Sequence, residues 1–294
     1  MIEYLLLAVS IIFGLGGTLT RKYFTNKVGS SYAYVFLFNA VSGLVAALFF
    51  LILNQFSSIS SYSLWLGVLF GAVTIVQSVF FMLAIQAGPM SFTVVMVNFS
   101  TVITALLGAL LWDEKIKILQ IIGVALSVVS FVLAVEKKSE EKRASWKWLL
   151  YCVIAMLTTS AIGLLQKVHQ TSVYKGELNG FLLVAFAFLS IVSLGAAFLF
   201  KKKEKVAFFE KENASKYWLL LVIMLITGLF VAVPNELNAY LAGVIDSVIF
   251  FPLVNGGNLI LSTLSALIVF KEKLTEKQWV GVIVGIASFF CLCL

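Results

Sequence analysis

The chain is short of charge. Asp, Glu, Lys and Arg make up 12% of its 294 residues, against 61% hydrophobic residues and a mean hydropathy of +1.05. That balance excludes an ordinary soluble domain. The sequence has one histidine, three cysteines and three prolines, and it lacks HExxH, Gly-x-Ser-x-Gly, a paired acidic motif for prenyl diphosphate chemistry and a GxxxxGK[ST] phosphate loop. Intramembrane hydrolysis and ATP-driven transport therefore lack the groups they need, and the chain reads as something other than an enzyme. His169 falls at the end of a helical run and reads as an interfacial side chain. Cys152, Cys291 and Cys293 sit in apolar runs without metal-ligand spacing and read as small packers. No metal and no cofactor are expected.

What is present is long apolar runs. A hydrocarbon layer about 30 Å thick needs about 20 helical residues at 1.5 Å rise per residue. Ten such runs occur, at 3–20, 32–53, 64–86, 91–111, 117–135, 147–166, 179–200, 217–241, 246–269 and 277–294. A membrane barrel would show alternating segments of about ten residues, and these runs are continuous. The expected fold is an all-α integral membrane protein of ten transmembrane helices.

The chain also repeats itself. Glu114-Lys115, Gln120, Gly123, Val124, Ser130 and Phe131 recur 158 residues later as Glu272-Lys273, Gln278, Gly281, Val282, Ser288 and Phe289. Residues 1–145, ending in a charged linker from Glu136, form one five-helix repeat, and 146–294 form the second. An odd number of helices per copy inserts the second upside down, giving an inverted-topology repeat. Gly281–Gly285, its copy Gly123–Ser127, and Gly67–Gly71 place small residues four apart. That spacing suits close packing within the chain or a homodimer interface.

Net charge is +7. In a soluble protein this would point to nucleic acid; here its distribution sets orientation instead, and no nucleic-acid partner is expected. Counting the first residue of each following span with its loop, the loops after odd-numbered helices hold 17 Lys and Arg, and those after even-numbered helices hold 4. Positive loops favour the cytoplasm, so both termini are expected outside. Trp65, Trp112, Trp146, Trp148, Trp218 and Trp279 fall near helix ends, as interfacial belts require.

Polar groups inside the runs carry the functional expectation, because hydrocarbon tolerates them only with partners or water. Glu236 is the one acid clearly inside a span. It lies about 8 Å from the end of helix 8, in Pro234-Asn235-Glu236-Leu237-Asn238-Ala239-Tyr240, and Phe81 is its counterpart in the first repeat. It suits proton coupling, pairing with a substrate ammonium group, or a buried contact to Lys, Asn or water. Asn98 and Asn255 occupy matching mid-span positions 157 residues apart, with Asn258 one turn from Asn255; interhelical bonding and substrate recognition both fit them. Asn39, Gln77, Gln86 and Gln166 are weaker members of that set. The candidate substrate-binding residues are Phe81, Asn98, Thr101, Glu236, Asn238, Tyr240, Asn255 and Asn258, with Glu236 the candidate for proton coupling.

The stretch from Gly88 to Phe131 resembles the drug/metabolite transporter superfamily in its ten-helix EamA-like branch. In that branch a helix runs to an acidic position, and a Gln and a Gly follow in the next helix. Thr104-Ala105-Leu106-Leu107, Glu114, Gln120 and Gly123 match here, as do Glu272, Gln278 and Gly281 in the second copy. The resemblance implies a transporter whose helices 1–4 and 6–9 form the central path, with 5 and 10 at the periphery. Family members often carry a proline where this chain has Thr101. Helix 4 is therefore expected to lack a kink, while Pro252 and Gly256-Gly257 favour bending or unwinding in helix 9.

The expected activity is secondary transport of a small polar organic metabolite (amino acid, amine, sugar or nucleoside) by alternating access. The expected setting is the lipid bilayer of a bacterial plasma membrane, with the chain as a multi-pass protein. A lipid-handling or accessory membrane protein is the competing expectation.

Overall fold

The computed structural model describes residues 2–28, 31–87, 93, 96–134, 146–206, 208, 214–269 and 276–293. The linker after Ala134 and the Glu272-Lys273 pair lie outside them. The described residues form ten α-helices: α1 (Ile2–Val28), α2 (Tyr32–Asn54), α3 (Ser61–Ala87), α4 (Ser100–Leu111), α5 (Ile118–Ala134), α6 (Trp146–Gln170), α7 (Leu178–Glu204), α8 (Ala214–Val244), α9 (Ser247–Val269) and α10 (Glu276–Cys293). A 3-10 turn, Lys175–Glu177, precedes α7. By length and composition six described helical stretches suffice to cross a membrane: Ile2–Arg21, Tyr32–Asn54, Ser61–Ala84, Trp146–Gln170, Lys175–Glu204 and Tyr217–Val244. Met96–Leu111, Ile118–Ser130 and Trp279–Ser288 are shorter apolar stretches.

The chain divides into two compact units, one of residues 1–75 with 169–239, the other of 76–168 with 240–294. Each draws on both halves of the sequence. Helices in a bilayer associate through close backbone approach rather than through expulsion of water, and small residues make that approach here.

In the first unit α2 packs along α7. A Cβ on Gly43 would meet the Leu189 side chain at 2.6 Å, and Ser190 Oγ donates to the Ala40 carbonyl at 2.8 Å. Phe36 stacks on Phe200 and Phe50 on Phe186, so the two helices run antiparallel. Glu204, at the end of α7, accepts from Ser31 Oγ at 2.6 Å and from the Tyr32 N–H at 3.0 Å. It thus caps the α2 N-terminus, where a carboxylate also meets the positive end of the helix dipole. Gly67 and Gly71 lay α3 on α7, since a Cβ at either would meet a backbone carbonyl, Phe181 O at 2.8 Å or Ala185 O at 2.5 Å. This small-residue pattern therefore packs within the chain.

α1 meets α8 where Pro234 interrupts the ladder. Lacking an N–H, Pro234 leaves the Phe230 carbonyl without its helical donor. Gly16 and Gly17 admit α1 to that spot, a Cβ on Gly16 coming within 2.7 Å of the Phe230 ring.

In the second unit α5 pairs with α10 and α4 with α9. Ser130 Oγ donates to Gly281 O at 2.7 Å, Ser288 Oγ donates to Gly123 O at 2.8 Å, and the Ser127 and Ser288 hydroxyls share a hydrogen bond of 2.7 Å. The order of these contacts makes α5 and α10 antiparallel. Their outer faces expose Ile118, Ile121, Val129, Ile283 and Phe290.

The regular helix pattern breaks in the fourth run and, among the described residues, not in the ninth. The turn at Phe99 interrupts the fourth helical run between residues 96–98 and α4. There the Ser100 carbonyl accepts from the hydroxyls of Thr104 and Ser160, an alternative to regular helical bonding. α9 instead stays helical through Pro252, Gly256 and Gly257, with Phe250 to Val254 and both glycines buried around the proline.

Candidate functional site

Two polar groups stand in the apolar helices of the first unit. Glu236, half-buried, lies eight residues before the end of α8. That is about 12 Å of helix, deeper than the expected 8 Å, because α8 continues through the buried Leu241 and Ala242. Its partner is Asn179, the second residue of α7. With the amide nitrogen turned toward the acid, Asn179 donates to Oε1 at 3.1 Å and to Oε2 at 3.2 Å. No Lys, Arg or His among the described residues forms an ion pair with Glu236. Asn238 accepts from Ser10 Oγ of α1 at 2.6 Å, which ties α8 to α1 and leaves the Asn238 amide nitrogen available. Asn235 donates to the Val231 carbonyl of its own helix.

The second unit holds the asparagine set. Asn255 Nδ2 of α9 donates to Thr101 Oγ1 of α4 at 2.7 Å, joining the antiparallel pair by one polar rung. Asn258 lies three residues further along α9, and Asn98 stands before the turn at Phe99. Asn258 Oδ1 is shut off from solvent and meets no hydrogen-bond partner among the described residues. An orphaned buried acceptor costs about 1–3 kcal/mol unless a donor reaches it. Phe81 is half-buried and Tyr240 exposed, and neither stacks or hydrogen-bonds through its side chain with another candidate. The sequence reading thus placed Thr101, Asn255, Asn98 and Asn258 on facing helices. Of the weaker candidates, Asn39 and Gln166 are buried, Gln77 is half-buried, and the Gln86 side chain lies outside the described residues.

The sequence reading missed a buried ionic cluster in this unit. Lys167, counted there as a loop charge, lies in the last turn of α6 and is 4% exposed. It pairs with Glu114 Oε1 and donates to Ser247 Oγ at 2.7 Å, with the Trp112 ring 5.3 Å away. Glu114 Oε2 accepts from the Ser247 N–H at 2.8 Å. The motif acid therefore caps the first turn of α9 from another part of the chain. Gln120, the next motif residue, accepts from the Lys117 N–H at 3.0 Å and closes the start of α5.

Two further residues depart from the expected interface. Trp148 is buried and donates through Nε1 to Thr93 Oγ1 at 2.8 Å. His169 is fully buried in the first unit and stacks on Phe181 at 4.4 Å. Gln170 Nε2 donates to the Lys175 carbonyl and faces His169 Nδ1 at 3.0 Å, which makes Nδ1 an acceptor and leaves the proton on Nε2, 3.2 Å from Ser63 Oγ. Ser63 Oγ lies 3.3 Å from Ser60 Oγ, which donates to Glu177 at 2.6 Å. A polar residue near a helix end gives the same sequence signal whether it snorkels or turns inward.

No curated protein matches this sequence. Among solved structures, one crystal structure matches over 99% of this chain and 96% of that one, with a TM-score of 0.70 and 15% identity, a likeness of fold alone. The sequence model of the EamA-like transporter family matches residues 1–136, which span the first five helices. That stretch, a little under half of the chain, is similar to the membrane transporters of the EamA-like family.

Proposed function

We propose that the protein is a secondary transporter that moves a small polar organic metabolite across the plasma membrane by alternating access, with Glu236 coupling transport to protons. The observation that carries this reading is the orphaned acceptor of α9. In a membrane helix a buried acceptor that meets no donor among the described residues, Asn258 Oδ1, is a place for a hydroxyl, amine or amide of a passing solute. Asn255 and Thr101 hold the neighbouring rung closed and fix the geometry.

Inverted repeats are part of the proposal. Their support is the reciprocal bonding of matched residues, Ser130 to Gly281 and Ser288 to Gly123. Such an exchange is expected when two copies are related by a two-fold axis perpendicular to their helices. The second helix pairing with the seventh and the fourth with the ninth fits the same relation. Lys201, Lys202 and Lys203 close α7, in keeping with a cytoplasmic odd-numbered loop and external termini. Reaction of a C-terminal tag with an impermeant reagent in intact cells checks that orientation; a protected tag would reverse it.

Purified protein in liposomes, tested with labelled amino acids, amines, sugars and nucleosides, is expected to carry at least one class faster than protein-free vesicles. Asn258→Leu should cut that flux at least about tenfold, as expected for a lost buried hydrogen bond to the solute. Flux untouched by this substitution would remove Asn258 from the site, and no flux for any class would favour a lipid-handling or accessory role.

A further inference from the structure

The chain treats its two embedded acids in opposite ways. Glu114 is fixed as an anion by the Lys167 ammonium, the Ser247 hydroxyl and a backbone N–H. Glu236 has no fixed cation among the described residues and meets a neutral amide, with both carboxylate oxygens within 3.2 Å of one end of Asn179. An amide has a donor end and an acceptor end, which exchange by a half-turn about the last side-chain bond, a broad torsion with two equivalent wells.

From this geometry we infer that Asn179 is a positioning residue for proton binding at Glu236, its amide turning to serve both states of the acid. The inference rests on the proposed coupling role of Glu236. With Glu236 ionised, both oxygens are acceptors and the Asn179 nitrogen faces them. When a proton from water adds to one carboxyl oxygen, that oxygen becomes a donor, and the amide turns its Oδ1 to accept from it. No backbone movement is required. A fixed donor such as a backbone N–H or a lysine would oppose protonation.

No charged side chain among the described residues is bonded to Glu236. α2 and α3 contain no charged residue. On α1, Glu3 lies in the first turn, Arg21 sits over the Phe38 ring and Lys27 over the Tyr23 ring, and the Lys22 side chain lies outside the described residues. On the α7 side Glu177 is bonded to Ser60, and on α8 no acid or base lies between Tyr217 and Glu236.

Infrared difference spectroscopy, with Glu236→Gln used to assign the Glu236 carboxyl band, follows this one proton in the intact protein. Asn179→Leu removes both ends of the amide. The charged acid loses the stronger bond, so the Glu236 titration midpoint is expected to rise by about one pH unit. Asn179→Asp, close in size, places a second carboxylate there and should raise it further. In the wild type, isotope-labelled asparagine amide bands should change together with the Glu236 band. A midpoint unmoved by both substitutions overturns the inference, whatever the flux. Absence of pH-driven flux in a protein whose Glu236 midpoint does respond to Asn179 would instead sink the coupling role and leave the pairing intact.

Discussion

Ser130 and Ser288, 158 residues apart in the sequence, each donate a hydrogen bond to the glycine carbonyl of the other's helix, at 2.7 and 2.8 Å. A single such bond between membrane helices contributes about 0.6–1.5 kcal/mol. Ser130→Ala should lower stability by that amount in a detergent unfolding measurement, and Ser288→Ala by more, because it also takes a partner from the Ser127 hydroxyl. Seven residues of α5 separate Ser130 from Gly123, about 10 Å, so the double variant should show additive losses. Strong non-additivity would mean that the two bonds are not separate ends of one seam.

Removing Lys167 should be more damaging than removing the whole ion pair. Lys167→Met leaves the Glu114 carboxylate buried against the start of α9 without its cation, an expected cost of about 3–5 kcal/mol. Lys167→Met combined with Glu114→Gln should recover most of it, because no charge is then stranded. Thermal unfolding of the single and double variants reads the difference, and a double variant no better than the single would contradict a compensated pair.

The chain has one histidine, so its imidazole resonances need no assignment. Nitrogen-15 spectra at neutral pH should show the proton on Nε2, as the Gln170 and Ser63 contacts dictate. His169→Phe keeps a ring against Phe181 but strands Ser63 and Gln170, for a loss of about 1–3 kcal/mol. A proton on Nδ1, or a phenylalanine variant as stable as the parent, would show that these contacts are mistaken.

The helical runs were legible in the sequence because hydrophobicity of bilayer length has few alternatives, and described helices α1, α2, α3, α5 and α6 begin or end within a few residues of the expected spans. Asn255 was legible as a mid-span polar group, and its amide meets Thr101 of α4. Asn179 was not, since its position at the start of α7 resembles any loop-side amide and only tertiary packing brings it to Glu236. Lys167 was missed for a related reason: its final-turn position matches a snorkelling lysine, and burial follows from Glu114 and Ser247 lying opposite. The turn at Phe99 had no local signal either, because the hydroxyls that engage the Ser100 carbonyl come from Thr104 and from Ser160 of another helix.

The most direct test of the transporter account is ligand-dependent thermal stability of the purified protein against a panel of amino acids, amines, sugars and nucleosides. A ligand at one hundred times its dissociation constant adds about 2.7 kcal/mol to the folded state, a readable shift. The account predicts stabilisation by one chemical class, lost or strongly reduced in Asn258→Leu and in Glu236→Gln, both of which must still unfold cooperatively without ligand. Stabilisation by none of the panel, or equal stabilisation of the parent and both variants, would contradict it.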